Sequence, residues 1–246
     1  MFIGQAMDSS RDPLIRFPAG SLVAKFVQRE KRFRVEVETG EGRFWVHCNN
    51  SGSMLGLLRK GAEVLVSPAQ RTGRILPYTL ELVCLQGFWV GVNTMTPNRL
   101  LRLGWEASAI TEAARYDHFR GEARVGESRL DALLTGPDGS LWVEAKNVTL
   151  VEDDTAYFPD AVSVRAQKHL RELMDLTRRG ARCACFYLIQ RPDARCFAPA
   201  SFIDPAFAEL FRQALEVGVE VWPYVADVSP EGIGIGRRLP VARDSR

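Results

Sequence analysis

The sequence predicts a two-domain α/β protein in which a small β-barrel precedes a mixed-sheet α/β domain. Residues 1–88 contain short runs of β-branched and aromatic residues separated by polar turns, as in antiparallel strands. Beyond residue 88, helical and strand-like segments alternate in an order that requires crossover helices. The two parts also differ in charge, with a net +4 over residues 1–88 and a net −2 over residues 89–246.

The first part is predicted to contain five strands. Phe33, Val35 and Val37 alternate with charged residues, which is the period of a half-buried strand. Five short antiparallel strands favour a Greek-key barrel of the OB type, an architecture that often binds oligonucleotides. A barrel that only packs against its neighbour is an equal alternative. The predicted strands are Leu22–Val27, Phe33–Val37, Arg43–His47, Glu63–Val66 and Thr79–Val83.

The second part is predicted to begin with a helix at Thr96, because Thr followed by Pro97 is a favourable helix start, and helical spacing continues to about Ala114. Two more helices are predicted over residues 162–179 and 205–217. The Gly/Pro-rich segment 229–240 is expected to be a tail or a closing loop. The predicted strands are Phe119–Val125, Arg129–Thr135, Leu141–Val148, Cys183–Gln190 and Glu220–Val225.

The composition is that of an average globular protein and excludes several classes. With 46% hydrophobic, 9% aromatic and 25% charged residues, the chain is neither disordered nor fibrous. Its five cysteines are an odd number in a long chain, and their spacing matches neither a disulfide framework nor a zinc site. The sequence shows no export signal and no apolar run long enough for a membrane span. We therefore expect a cytoplasmic protein without a membrane partner.

The most informative stretch is a predicted hairpin over residues 128–146 with its turn at Gly136-Pro-Asp-Gly139. If Gly136 pairs with Gly139, Asp131 lies directly opposite Glu144, with Cβ atoms about 4.5–5.5 Å apart. Like charges in this position are destabilising, so we expect a divalent cation between them, and carboxylate oxygens suit Mg²⁺. A three-residue loop with a glycine bulge would instead place the two carboxylates on opposite faces.

Lys146 lies two residues after Glu144 and is therefore expected on the same side of the strand. There it is placed to contact a phosphate oxygen or to position a metal-activated water. Because the chain has 27 Arg and only 5 Lys, a lysine inside this strand is less easily explained as an ordinary surface charge. The alternative is a surface hairpin that carries solvated carboxylates.

A second candidate site is basic, and it comprises Arg29, Lys31, Arg32 and Arg34 near the first predicted turn of the barrel. Phosphate contacts combined with base stacking on the neighbouring Phe26 and Phe33 are one interpretation, and a hairpin with solvated charges is the other. Lys168 and His169 lie on the predicted second helix, where a solvated helix face is the first interpretation and a phosphate contact the second.

Asp followed about a dozen residues later by Glu-x-Lys on a hairpin resembles the PD-(D/E)XK nucleases. The longer pattern resembles the sugar fermentation stimulation protein A (SfsA) family. Residues 47–52 only approximate the family's usual segment there, which leaves the roles of Asn50 and Ser51 open. The matching segments are Gly91–Thr94, Pro97–Asn98, Ser128–Asp131, Val143–Thr149, Phe158–Val162 and Lys168–Leu173.

The resemblance implies an OB-like domain over residues 1–88, a PD-(D/E)XK nuclease-like domain over residues 89–246, and DNA binding. It implies that Asp131, Glu144 and the Ala145 carbonyl hold Mg²⁺ or Mn²⁺, and that Lys146 is the lysine of the motif. The glutamate that many such nucleases carry on their first helix would be either Glu106 or Glu112, a choice that the sequence leaves open.

The resulting functional expectation is a DNA-binding protein that hydrolyses phosphodiester bonds, with Asp131, Glu144 and Lys146 as its catalytic residues. The alternative is a non-catalytic DNA-binding regulator that retains the nuclease fold and is linked to sugar metabolism, a link that rests on the family name. RNA and a second copy of the chain are further candidate partners.

Overall fold

The computed structural model describes residues 14–69, 73–126, 128–137 and 139–242, so Asp138 of the predicted turn lies outside the described residues. The strands form a six-stranded, a seven-stranded and a three-stranded sheet. The first described strand, β1 (Ile15–Arg16), belongs to the seven-stranded sheet. Within the described ranges, no helix is long and apolar enough to cross a membrane.

Five strands of the N-terminal part close into a barrel. The first of these strands along the chain pairs antiparallel with both the second and the fourth. A parallel bridge between His47 of the third strand and Thr79 of the fifth closes the barrel. Val35 and Val37 alternate with exposed residues and are fully buried inside the barrel. The predicted OB-like barrel is confirmed. Its strands are β2 (Leu22–Glu30), β3 (Arg34–Thr39), β4 (Gly42–His47), β5 (Glu63–Pro68) and β6 (Tyr78–Leu85), and β7 (Phe88–Gly91) extends the sheet beside β6.

The C-terminal part is a mixed-sheet α/β domain, as predicted, and its helices lie on both faces of the sheet. Its helices are α1 (Thr96–Glu106), α2 (Val164–Arg178) and α3 (Pro205–Glu216). Its strands are β8 (His118–Val125), β9 (Ser128–Gly136), β10 (Gly139–Val148), β11 (Leu150–Glu152), β12 (Thr155–Phe158), β13 (Arg182–Ile189), β14 (Cys196–Pro199), β15 (Glu220–Ser229) and β16 (Gly232–Arg238). The main sheet has the order β1-β16-β15-β13-β10-β9-β8, with β10, β13 and β15 parallel, and β11, β12 and β14 form the small sheet.

Alternate residues of β13 point to opposite faces of the main sheet. Phe186 packs in one apolar cluster with Leu100 of α1, whereas Cys185 packs in another with Leu170 of α2. Because Glu144 of β10 is the register partner of Cys185, Glu144 belongs to the face that α2 covers. The parallel pairing of β10 with β13 thus places a carboxylate beneath a helix.

The first helix is shorter than the sequence predicts. It ends at Glu106 rather than near Ala114, and a short 3-10 helix follows at Thr111–Ala113. Ser108 has a left-handed φ of 54°, and its backbone N–H bonds the carbonyl of Trp105. A left-handed residue cannot continue an α-helix, so the expected extension to Ala114 is wrong.

The expectation of a tail or closing loop at 229–240 is also wrong, because this segment contains β16. Ile233 and Ile235 are buried against the sheet, and β16 pairs with both β15 and β1. Gly236 is needed for close packing. A Cβ at Gly236 would lie 2.6 Å from Asp227 Oδ1 and 2.8 Å from the Val225 carbonyl. This glycine therefore marks a close approach rather than the end of a strand.

The boundary proposed near residue 88 stays a prediction, and strand pairing adds two details to it. Strand β1 pairs with β16 in the C-terminal sheet, and β7 pairs with β6 in the barrel sheet. The two parts are in direct contact: Gly91 donates a backbone hydrogen bond to the Gln190 carbonyl at 3.0 Å, and Leu65 and Leu82 join the apolar cluster of α1. This contact brings the barrel beside the end of β13.

Candidate metal centre

The hairpin has the register of an even loop. Gly136 pairs with Gly139, and the ladder continues without a bulge to Ala132 and Val143. Asp131 and Glu144 occupy the next position, immediately beyond the end of the ladder. This pairing excludes the bulged loop that would have placed the two carboxylates on opposite faces.

Beyond the last pair of the ladder, the carboxylate of Asp131 takes the place of a backbone carbonyl as the hydrogen-bond acceptor. Its Oδ2 accepts the backbone N–H of Ala145 at 2.8 Å, and its Oδ1 accepts Nδ2 of Asn98 at 2.6 Å. Burial and the charge of Glu144 raise the pKa of Asp131 above its ordinary value, although both hydrogen bonds and the charge of Lys146 oppose this shift. Repulsion by the neighbouring carboxylate of Glu144 thus adds to the effect of burial on Asp131.

Glu144 is almost completely buried, with 2% exposure, and its two oxygens are in different environments. Oε1 accepts Nζ of Lys146 at 2.6 Å and also contacts Nδ1 of His169. Oε2 is buried and has no hydrogen-bond partner among the described residues. Burial alone would raise the pKa of Glu144, but His169 and Lys146 outweigh it, so that this pKa is lowered and the carboxylate is charged.

These donors fit a divalent cation. A charged, buried oxygen without a partner is costly unless a ligand satisfies it, and Glu144 lies across from a second carboxylate, that of Asp131. Mg²⁺ commonly uses one or two carboxylates and fills its remaining positions with water, phosphate or carbonyl oxygens. Within the ranges described above, no group of three or more His, Cys, Asp and Glu side chains could hold a metal, so the chain would supply two carboxylates.

Two neighbours of the carboxylate pair were missed by the sequence analysis. His169 was assigned to a solvated helix face, but it is buried beneath α2 and contacts Glu144. Asn98 lies in the first turn of α1 and reaches Asp131. The only sequence signal for either residue was its position inside a segment that resembles the SfsA family.

The geometry supports neither Glu106 nor Glu112 as the metal ligand expected on the first helix. Glu106 is paired with Arg102 at 2.9 Å on the exposed side of α1. Glu112 bonds the hydroxyl of Tyr224 at 2.7 Å and pairs with Arg238 at 3.0 Å. The residue of α1 that contacts the carboxylate pair is an asparagine.

Part of the basic cluster of the barrel organises a loop. Arg29 donates to the carbonyls of Asn50 at 2.5 Å and Gly52 at 3.2 Å, and Arg32 donates to that of Ser51 at 3.3 Å. Arg34 lies over the ring of Trp45, with its guanidinium carbon 4.7 Å from the ring centroid. The remaining cluster member, Lys31, is exposed.

The other residues predicted for nucleic-acid contact lie in different surroundings. Phe26 is buried in the barrel core and has no free face for stacking, whereas Phe33 is 50% exposed. Lys168 is exposed on α2 and lies 3.8 Å from Glu172, one helical turn away. The structure does not bring Lys168 to the carboxylate pair, and its phosphate contact stays a prediction.

A cleft of about 230 Å³ lies between the barrel and the main sheet. The barrel contributes residues 50–52, which Arg29 and Arg32 hold, and β10 contributes Ala145 to Val148. Thr94, Thr149, Tyr157, Phe158 and Asp160 complete its lining. Lys146 thus joins the carboxylate pair to an open cleft between the two parts of the chain.

A closed OB-type barrel joined to a mixed-sheet domain with an Asp and Glu-x-Lys hairpin defines a two-domain protein with a PD-(D/E)XK nuclease-like C-terminal fold. Comparison with protein families matches two segments of the chain. Residues 95–232 match the family described as "Sugar fermentation stimulation protein RE domain", and residues 27–92 match the SfsA N-terminal OB domain. The chain belongs to the SfsA family.

Its relatives cover nearly the whole chain. A sugar fermentation stimulation protein homolog from Syntrophobacter fumaroxidans is 59% identical over 95% of this chain and 90% of its own length. A homolog from Maridesulfovibrio salexigens is 53% identical over 94% of this chain and 98% of its own length. The solved structure of Pyrococcus furiosus SfsA in complex with Ca²⁺ is 28% identical, with a TM-score of 0.87 over 95% of this chain and 100% of that chain.

Proposed function

We propose that this protein binds DNA and hydrolyses its phosphodiester bonds with one Mg²⁺ or Mn²⁺ ion. Asp131, Glu144 and the Ala145 carbonyl hold the ion, and Lys146 completes the catalytic group. The observation that carries this proposal is the buried, charged carboxylate of Glu144, whose Oε2 has no hydrogen-bond partner among the described residues and whose charge helps to raise the pKa of Asp131. The Ca²⁺ complex of the related Pyrococcus furiosus protein supports a divalent ion in this fold.

A bound divalent ion polarises a phosphate oxygen and lowers the pKa of a coordinated water. The side chains supply the other requirements. Asn98 and the Ala145 N–H orient Asp131, and His169 and Lys146 keep Glu144 ionised. Lys146 also lines the cleft, so its ammonium group is placed to contact a phosphate that enters there. In this arrangement Asp131 and Glu144 are the metal ligands, their hydrogen-bond partners orient them, and the ammonium group of Lys146 contacts the substrate.

The experiment combines metal binding and cleavage. Calorimetric titration with Mn²⁺ and cleavage of end-labelled single- and double-stranded DNA are compared for wild type, Glu144→Gln and Glu106→Gln. Both substitutions remove one carboxylate charge, but only Glu144 belongs to the candidate centre, since Glu106 is exposed and paired with Arg102. We expect wild type and Glu106→Gln to bind Mn²⁺ and to cut DNA in Mg²⁺ or Mn²⁺ but not in EDTA.

For Glu144→Gln, we expect Mn²⁺ affinity and cleavage rate to fall by about 100-fold or more, because loss of even an outer partner of a metal ligand typically costs 10- to 100-fold. Equal cleavage by wild type and Glu144→Gln would contradict the assignment of the site. DNA binding without cleavage under any metal condition would favour the alternative, a non-catalytic DNA-binding regulator linked to sugar metabolism. We also propose a cytoplasmic location. RNA and a second copy of the chain are further proposed partners, which the same cleavage assays and sedimentation, respectively, can test.

A further inference from the structure

From the cleft between the barrel and the main sheet, we infer that the DNA strand presented to the carboxylate pair is unpaired, so that the substrate is single-stranded DNA. This inference rests on the proposed function, because it names the substrate of the same site. Four features support it: the size of the cleft, the attachment of its barrel wall, the basic turn beside it and its aromatic residues.

The size of the cleft suits one strand. Its volume of about 230 Å³ equals the space of about eight water molecules at roughly 30 Å³ each. About half of its exposed lining is polar, and it offers backbone groups, amides and hydroxyls of the kind that contact phosphate and sugar. The polar side chains of the lining include Asn50, Ser51, Thr94, Asn147 and Thr149. A cleft of this size accommodates part of a nucleotide chain, whereas two paired strands would have to remain outside it.

The barrel wall of the cleft is attached on both sides. Before Ser51, Asn50 donates to the Val92 carbonyl at 3.2 Å. After it, Ser53 Oγ donates to Asp160 Oδ2 at 3.0 Å. Gly52 permits this second attachment, since a Cβ there would lie 2.9 Å from Asp160 Oδ2. The cleft is therefore preformed, and widening it for a duplex would break these contacts.

A basic turn lies beside the cleft. Lys146 lines the cleft, where Glu144 pairs with it at 2.6 Å, and Arg29 and Arg32 bind the carbonyls of the barrel wall. Lys31 and Arg32 adopt left-handed φ values of 48° and 63°, which turn the β2–β3 connection sharply beside that wall. The carboxylate of Asp160 also lines the cleft, but donors from Ser53 and Met54 engage it. A strand that leaves the cleft on the barrel side thus meets a basic turn.

Two aromatic residues flank the cleft on the side of the small sheet. Tyr157 lines it, and the ring of Tyr157 packs edge-on against that of Phe202 at a centroid distance of 5.1 Å. Phe202 is 57% exposed, so much of its ring is open to solvent. Proteins bind single-stranded nucleic acid without sequence preference by combining basic residues with aromatic rings on which bases stack, and Tyr157, Phe202 and the basic turn are placed for this combination.

The test measures binding in EDTA, where metal-dependent cleavage does not occur. Fluorescence anisotropy of the full-length chain is recorded with a labelled oligothymidylate, with its duplex with oligoadenylate, and with the matching oligouridylate RNA. We expect the single DNA strand to bind at least 10-fold more tightly than the duplex. Tyr157→Ala and Phe202→Ala should each weaken single-strand binding by about 5- to 150-fold, which is the range for loss of one stacked base.

Matched variants locate the strand. Tyr157→Phe keeps the ring and should bind like wild type, and circular dichroism of each alanine variant checks its folding. Leu215→Ala removes an exposed apolar side chain of α3, outside the cleft, and should leave binding unchanged. Phe33→Ala tests the competing surface, the exposed ring beside the basic turn of the barrel. A loss of affinity in Phe33→Ala but not in Tyr157→Ala would place the strand on the barrel and overturn the inference. Equal or tighter binding of the duplex, or tighter binding of the RNA, would also overturn it.

These outcomes separate the inference from the proposed function. If wild type cleaves DNA and Glu144→Gln does not, but the two cleft variants bind like wild type, hydrolysis stands and the cleft assignment fails. If no metal supports cleavage, but single-strand binding depends on Tyr157 and Phe202, the proposed hydrolysis fails while the cleft assignment stands.

Discussion

The ring nitrogen Nδ1 of His169 contacts Oε1 of Glu144, although the two residues lie 25 positions apart on α2 and β10. Lys146 donates to the same oxygen, and Oε2 has no partner among the described residues. Two donors therefore converge on one side of the carboxylate and leave the other side for a ligand. His169 is a positioning residue for Glu144, and this role makes it a direct test of the centre.

His169→Phe should weaken Mn²⁺ binding by about 10- to 100-fold, because it removes a partner that orients a metal ligand. His169→Asn should recover much of this loss, since its amide nitrogen can take the place of Nδ1. Calorimetric titration measures both affinities, and circular dichroism checks folding. Wild-type Mn²⁺ affinity in His169→Phe would show that the contact has no role at the centre.

Asn98 allows a test that adds a carboxylate to the centre instead of removing a partner from it. Asn98→Asp would add a carboxylate beside Asp131, in place of the amide that now donates to it. We expect the melting temperature in EDTA to fall by several degrees, at about 2–4 °C per kcal/mol for a chain of this size. The increase in melting temperature on adding Mn²⁺ should exceed that of wild type, because the ion would neutralise a third carboxylate. An unchanged response to Mn²⁺ would argue against an ion at Asp131.

Asp204 should make stability depend on acid pH. It caps α3 through the Phe207 N–H and also accepts from the Ser163 N–H and from Gln167. Burial opposes its charge, but these hydrogen bonds prevail and lower its pKa in the folded state below the ordinary value of 3.8. Its stabilising contribution is therefore complete above that value and is lost as pH falls through the lower, folded-state pKa.

For Asp204→Ala, we expect a loss of about 1–2 kcal/mol in the free energy of unfolding at pH 7, as for removal of a helix cap. The difference from wild type should shrink below about pH 4, where the unfolded chain begins to take up the proton. Urea unfolding at a series of pH values measures it. A difference that stays constant down to the acid limit of folding would contradict the lowered pKa.

Gly91→Ala should destabilise the contact between the two parts of the chain. A Cβ at Gly91 would lie 1.8 Å from Oε1 and 2.6 Å from Cδ of Gln190, which is completely buried. Overpacking of this kind typically costs about 1–3 kcal/mol. Gly40→Ala is the matched control, since no atom lies within 4 Å of its added Cβ. Equal thermal stability of the two variants would show that Gln190 can move aside.

Local patterns in the sequence were sufficient for much of the architecture. Alternating apolar residues predicted the barrel strands, and turn residues at 136–139 predicted the hairpin that β9 and β10 form. Both signals concern neighbours along the chain or across one turn, where spacing determines which side chains share a face. The same logic failed at β16, because a glycine required for close packing has the same sequence signature as a glycine that ends a strand.

The candidate centre shows the other limit. The sequence by itself placed Asp131, Glu144 and Lys146 on one hairpin, because a cross-strand pair is set by counting from the turn. Only the tertiary structure brought Asn98 to Asp131 across 33 positions, His169 to Glu144 across 25, and the 50–52 loop to the cleft beside Lys146. Those contacts depend on which helix covers which face of the sheet and on how the barrel docks. Packing of distant segments decides both, and no local periodicity records it.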